Sequence, residues 1–575
     1  MTRLLSASVL VLLLCAAGAS RQMEAAPGAQ APGTSPSADE GIPIRHEITR
    51  LVCGDCHATD DKGRMSRISY RRTTPEGWQE TIRRMVTLNK AEIEPADARE
   101  IVKYLSDELG LAPEEVKPAA FEVERRLIDF TYTANADAAA VCSSCHSIGR
   151  VMLQRRTPKE WDLVLAMHRG WYPLVDGQVF RRGGPPSSTP GPDGRPPDNR
   201  HPMDKVLAHL KPTFPFATPE WTAWAATKRS PRLDGTWLLS GHEPGAGPIF
   251  GTVTIATSAT SPDDVTTQVS FRYARTGQTV VRQGRVIVFT GHQWRGRTMV
   301  SGDDSTTLRE VMHVERDWQS IAGRWFTGDY DELGTDVTLQ RISGNPVVAG
   351  LDRPSARQGG TAQTLRIFGA NFPAGLAARD IDFGPGVTVA RVTEVTPTMV
   401  TVDVDVAANA ALGARDLFLA GTIHTAALTV YDRVHFITVT PGWNMARVGG
   451  VVFPKMLAQF EAQAWSHGLD GKPNTADDLP VGVVDATWSI EEYTATFADD
   501  DVKFVGGVDA ATGRFTPNVD GPNPDRSGNR NNIGDVWVVA TYAPGGDAAP
   551  LRARSHLVVA PPLYLRWDFS AVTNR

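Results

Sequence analysis

Four cysteines and two histidines carry the most specific chemistry in this sequence. They form two Cys-x-x-Cys-His strings, Cys53-Gly54-Asp55-Cys56-His57 and Cys142-Ser143-Ser144-Cys145-His146. In such a string, two thiols one helical turn apart add to the vinyl groups of a porphyrin. The adjacent histidine then sits beneath the iron as proximal ligand. A zinc site could use the same four thiolates, but the chain would have to fold both pairs onto one metal. A redox Cys-x-x-Cys normally follows a strand in a thioredoxin-like pattern, which is absent. The fifth cysteine, Cys15, lies near the N-terminus, so no later cysteine remains for a disulfide. The spacing predicts two covalently attached haem c groups, with His57 and His146 as proximal ligands.

The segments after the two strings repeat one another. Thr74-Pro75-Glu76-Gly77-Trp78 opens one and Thr157-Pro158-Lys159-Glu160-Trp161 the other. Threonine is a good N-cap, and proline fits the first helical position, where its missing N–H costs nothing. Glu160 is placed to complete a capping box with Thr157. Along these helices Trp78, Ile82 and Met85 fall on one face, as do Trp161, Leu165 and His168. Such a stripe is ordinarily core-facing. The register, however, gives Met85 and His168 equivalent positions, and a thioether and an imidazole are the usual distal partners of haem iron. The reading is therefore His57/Met85 for the first iron and His146/His168 for the second, with Trp78 and Trp161 on haem-facing helices. Met65 and Met152 compete with Met85, and His201, Met203 and His209 with His168. Because methionine ligation raises the potential, electrons are expected to run from the second haem to the first.

These units need supporting elements. Helices are expected over 46–52, 95–109 and 218–228, with a Pro/Gly-rich surface loop over 183–202. With 575 residues, the chain is expected to hold roughly four domains, at about 150 residues each. A net charge of −6 gives no reason to expect nucleic acid or an anionic membrane as partner. Met1-Thr2-Arg3, the apolar run after it, and Ala17-Gly18-Ala19 read as a signal peptide over 1–20, which predicts export to the periplasm. A retained membrane anchor or a lipoprotein through Cys15 is the competing reading, and no later segment is apolar enough for a stable membrane span. Residues 21–42 are a flexible leader. Cytochrome c units then cover 43–118 and 119–231.

From Asp234 onward, short alternating runs appear: 251–255, 269–273, 284–289 and 400–406. The fold class is thus a mainly α diheme cytochrome c region followed by all-β domains. These are an antiparallel barrel-like domain over 232–345 and immunoglobulin-like sandwiches over 346–431 and 432–575. Gly235-Thr236-Trp237 and Gly323-Arg324-Trp325-Phe326 look like matching strand starts in the barrel-like unit. Asp470 to Asp478 gathers carboxylates around turn residues; a solvated turn is the simpler reading, a calcium site the sharper one.

The haem strings, the Trp78-to-Met85 and Trp161-to-His168 helices and this β tail together resemble the alpha subunit of quinohemoprotein amine dehydrogenase, over essentially the whole mature chain. The resemblance implies a diheme electron carrier in a periplasmic heterotrimer, with a propeller beta subunit and a small gamma subunit. The gamma subunit would hold cysteine tryptophylquinone, where primary amines are oxidised. Azurin or a soluble cytochrome c would accept the electrons. The chain itself would then have no amine-oxidising residue, and no mature cysteine is left to build that quinone. Rival readings are an autonomous diheme enzyme such as a peroxidase, which needs an open iron position, and a haem-bearing cell-surface binding protein.

Overall fold

The computed structural model describes residues 40–119, 132–143, 146–171, 188–190, 194–326, 333–493, 500–546 and 548–562. The expected signal peptide, nearly all of the leader, Cys145 and part of the 183–202 loop lie outside the described residues.

The first cytochrome unit runs α1 Glu47–Gly54, β1 Arg71–Thr73, α2 Pro75–Asn89, α3 Pro95–Glu108 and α4 Pro113–Val116. The second runs α5 Ala136–Cys142, α6 Gly149–Met152, β2 Gln154–Arg156, α7 Pro158–Trp171, α8 Pro202–Thr213 and α9 Pro219–Thr227. Three helices start as their Thr-Pro signals require. Thr74, Thr157 and Thr218 each accept, through Oγ1, the backbone N–H three residues on, at 3.3, 3.3 and 3.2 Å. The capping box expected at Glu160 is only half formed. Thr157 N–H donates to the Tyr70 carbonyl, and the Glu160 carboxylate turns to Arg67 at 2.9 Å. Burial beside a cation outweighs a local cap there.

The barrel comprises β3 Gly235–Glu243, β4 Gly247–Thr257, β5 Asp264–Tyr273, β6 Thr279–Phe289, β7 Gln293–Val300, β8 Asp303–Val314, β9 Ser320–Phe326 and β10 Gly334–Arg341. Every neighbour is antiparallel, and β10 pairs with β3, so the sheet closes and leaves no edge. Alternate residues fill the interior, Trp237, Trp294 and Trp325 among them, each at most 2 % exposed. The proposed match of strand starts needs correction. Gly235 does begin β3, but Gly323 sits inside β9, which pairs with β8 and β10 and not with β3. A glycine there admits the backbone of Val311 and Met312.

Between Val347 and Tyr431, two four-stranded sheets enclose one aliphatic core containing Ile367, Val402, Leu417 and Val430. The last unit has three sheets around a core with Phe460, Phe515 and Val538. Its third sheet, Ala458–Gln459 with Arg514–Pro517 and Gly506–Val508, was not foreseen: strands of two to four residues carry no visible alternation. In the acidic turn, Asp470, Asp477 and Asp478 accept the backbone N–H groups of Lys472, Asp470 and Thr475. Among the described residues no group of His, Cys, Asp or Glu side chains assembles a metal site, in this turn or elsewhere.

The barrel braces both cytochrome units. Phe289 enters the core of the first unit. Gly110 packs so closely on Ser106 and Thr290 that a side chain there would collide with both. Trp224 Nε1 donates to the Thr290 carbonyl at 3.0 Å, and His292 Nε2 to that of Leu111 at 3.0 Å. His292 is 1 % exposed, and burial pulls its pKa down to about 3. The folded protein therefore keeps it neutral, while the unfolded chain protonates it below about 6.5. Its contribution is intact above that pH and is lost as pH falls toward 3, with about 2 kcal/mol gone at pH 5. Thermal unfolding followed from pH 7 to pH 5 should show Tm falling in the wild type and falling less in His292→Gln.

Candidate functional site

Each histidine of the Cys-x-x-Cys-His strings is held by a backbone carbonyl. His57 Nδ1 donates to Ser66 O at 2.9 Å and His146 Nδ1 to Ser147 O at 2.8 Å. An imidazole fixed through Nδ1 presents Nε2, the arrangement by which metal-ligating histidines are oriented. His168 is held the same way, its Nδ1 donating to Val164 O at 2.7 Å. Burial, then Arg150 and more weakly His168, hold His146 down to about 4. Burial, Arg84 and Arg156 lower His168 as well, against its bond to Val164. Both rings are neutral at pH 7, which is the ligating form. His168 is among the groups that lower His146.

α1 carries Cys53 on its last turn, and the backbone continues helically so that His57 N–H donates to Cys53 O at 2.9 Å. Cys56 is exposed, and Cys53 and Cys142 are half-buried, none of them in a disulfide. Burial, with Cys56 adding, pushes the Cys53 thiol up to about 11, and burial takes Cys142 to about 12. Both are thiols at neutral pH, outside any disulfide and so open to thioether formation. The donor set therefore fits a porphyrin attached through thioethers, with an Nε2 ligand from each string.

The distal candidates sit in different surroundings. Met85 is half-buried, with its sulfur 3.7 Å from Asn89 Nδ2. Met65 is fully buried in the first unit's core, beside Trp78 and Ile82. Met152 packs on the second unit's core. Met203 is buried with Leu165, His201 caps α8 by accepting the Met203 N–H at 3.2 Å, and His209 bonds the Tyr132 hydroxyl at 2.8 Å.

Trp78 and Trp161 are 1 % and 2 % exposed and are anchored identically. Their indole N–H groups donate at 3.1 Å to Leu109 O and Phe214 O, the residues that end α3 and α8. The same carbonyls accept the strand N–H groups of Thr73 and Arg156. A guanidinium covers each indole: Arg71 lies 5.0 Å above Trp78, and Arg156 lies 5.7 Å above Trp161.

Those arginines belong to an element the sequence did not announce. β1 and β2 pair antiparallel across the two units, with Arg71 opposite Arg156 and Arg72 opposite Arg155. Alternate residues of a strand face opposite ways, so the ribbon has two arginine faces. On one, Arg72 and Arg155 grip Glu115 at 2.8 and 3.0 Å. Arg72, fully buried, also donates to Gly110 O, Phe216 O and Thr218 Oγ1. The other face carries Arg71 and Arg156. The available signal was the repeated Arg-Arg before each Thr-Pro, at Arg71-Arg72 and Arg155-Arg156.

A haem-binding region followed by β domains, one of them a closed eight-stranded barrel, defines the class of protein. Four family descriptions match in succession, all from quinohemoprotein amine dehydrogenase: alpha subunit haem binding over 45–184, domain II over 230–342, domain III over 347–432 and domain IV over 437–571. The chain belongs to the quinohemoprotein amine dehydrogenase alpha-subunit family. Comparison with curated proteins gives no match. Among solved structures, a redesigned β-barrel is similar at 15 % identity over 19 % of this chain and 92 % of its own, with TM-score 0.17. A designed fluorescence-activating barrel is similar at 18 % identity over 19 % and 93 %, with TM-score 0.16.

Removing one partner of a buried ion pair strands the other charge. Glu115→Gln, which leaves Arg72 and Arg155 without their shared carboxylate, should therefore destabilise the cytochrome region by about 3–5 kcal/mol, measured by chemical denaturation of the whole chain against wild type.

Proposed function

We propose that this chain is the diheme c electron-transfer subunit of an exported, periplasmic quinohemoprotein amine dehydrogenase. The observation that carries the reading is the repetition of one site. Two Cys-x-x-Cys-His histidines are held through Nδ1, and each is followed by a Trp-anchored helix. Met85 and His168 fall at the same register on those helices. Cys53 and Cys56, and Cys142 and Cys145, would form the thioethers; His57 with Met85, and His146 with His168, would supply the axial ligands. Haem iron supplies one-electron chemistry when bound.

The chain's own residues do the positioning. Ser66 O and Ser147 O fix the ring orientation of the proximal histidines, and Val164 O fixes that of His168. The Leu109 and Phe214 carbonyls lock the tryptophans, and with them the pitch of α2 and α7. The amine-oxidising cysteine tryptophylquinone belongs, in this reading, to a small gamma subunit beside a propeller beta subunit. Electrons leave to azurin or a soluble cytochrome c. The barrel and the later units, which we read as immunoglobulin-like sandwiches, are scaffold and docking surface. Among the described residues no helix is long and apolar enough to cross a membrane.

The test uses complex purified from the native periplasm. Two haem c per chain are expected, and a primary amine added anaerobically should raise the reduced haem bands. Reduction by dithionite but not by amine would remove the amine dehydrogenase role and leave the diheme carrier. In Met85→Ala one midpoint potential should fall; unchanged potentials for both haems would refute Met85 as a ligand.

A further inference from the structure

The second arginine face of the β1–β2 ribbon is short of anions. Arg71 is 6 % exposed, yet its guanidinium reaches only neutral partners, Thr81 Oγ1 and, at 3.1 Å, Gly77 O. Its Nε is buried with no hydrogen-bond partner. The contrast with Arg72, one residue on, is direct, since Arg72 holds a carboxylate with both terminal nitrogens. The charges acting on Arg71 are Arg156, Arg84, Glu160 and Arg67, three cations to one carboxylate. That carboxylate is already taken by Arg67 at 2.9 Å and stands 3.8 Å from Arg156. Of the other buried carboxylates on α2, Glu76 is paired with Arg295 of the barrel, and Glu80 stands one turn before Arg84. Arg156, 5 % exposed, bonds the neutral Gln154 Oε1, and Arg84 bonds Thr81 Oγ1. Buried positive charge in such excess is costly unless an anion completes it.

The position of the cluster says which anion. Arg84 is the neighbour of Met85 on α2, while Arg84 and Arg156 both act on His168 of α7. Arg71 and Arg156 face one another across the ribbon, each over the tryptophan of the helix that carries a distal candidate. A haem carries two propionate groups at its edge, and guanidinium forks match carboxylates bidentately. We infer that Arg71, Arg84 and Arg156 form the seat of a propionate from the haem of the second string, drawn from both cytochrome units across the ribbon. This rests on the diheme reading above. The seat keeps that propionate ionised and, by its net positive charge, favours the reduced haem, which offsets part of the low potential expected of bis-histidine ligation.

The experiment is spectroelectrochemical titration of the purified complex from pH 5 to pH 8, with haem content measured on each sample. In Arg71→Gln and Arg156→Gln, the midpoint potential of one haem should shift downward. It should also become pH-dependent, rising toward acid as the released propionate takes up a proton. In the wild type it should stay nearly flat. Arg71→Lys, which keeps the charge but not the fork, should fall between the two and serves if the glutamine variants fail to mature. Both potentials unchanged in variants carrying two haems would overturn the seat while leaving the electron-carrier reading intact. A wild-type chain without two haems would overturn both.

Discussion

The cytochrome region hangs on one buried ion triad, Arg72 and Arg155 closing on Glu115. Two guanidiniums and one carboxylate, nearly or wholly removed from water, would be a liability without further acceptors. The structure supplies them from the Gly110 and Phe216 carbonyls and the Thr218 hydroxyl, and Thr218 Oγ1 also donates to Glu115 at 2.8 Å. These groups come from the end of the first unit, the turn before α9 and the α9 cap. The triad thus ties together segments more than 100 residues apart. Once the ribbon is held, the Trp78 and Trp161 helices have fixed origins, and so have Met85 and His168.

Sequence reading captured what local chemistry dictates. Helices α2, α7 and α9 start where Thr-Pro pairs place them, because cap and first turn are decided within four residues. The β runs near 251–255, 269–273 and 284–289 fall inside β4, β5 and β6, because alternation in a half-buried strand shows directly. The ribbon stayed hidden for the opposite reason. Arg71-Arg72-Thr73 and Gln154-Arg155-Arg156 are three-residue strands without an apolar residue, and they are strands only because a distant glutamate makes burial tolerable. Glu115 itself, in the polar run before Val116, carried no pattern at all.

The barrel contributes stiffness of a different sort. Closure removes free edges, and its interior is packed with tryptophan. One rim, from Phe289 to Gln293, is spent on the cytochrome region through Thr290 and His292. The redox region is therefore backed by a surface that does not shear easily. Rigidity of that kind suits electron transfer, where little nuclear rearrangement should accompany a change of charge.

The ribbon also bears on the history of the chain. Two units with the same Arg-Arg, Thr-Pro and Trp signals look like copies of one ancestral module, but the copies no longer stand apart. Each lends the other a strand, and the first lends Glu115 to an arginine of the second. A gene encoding either copy alone would expose buried arginines and half a ribbon.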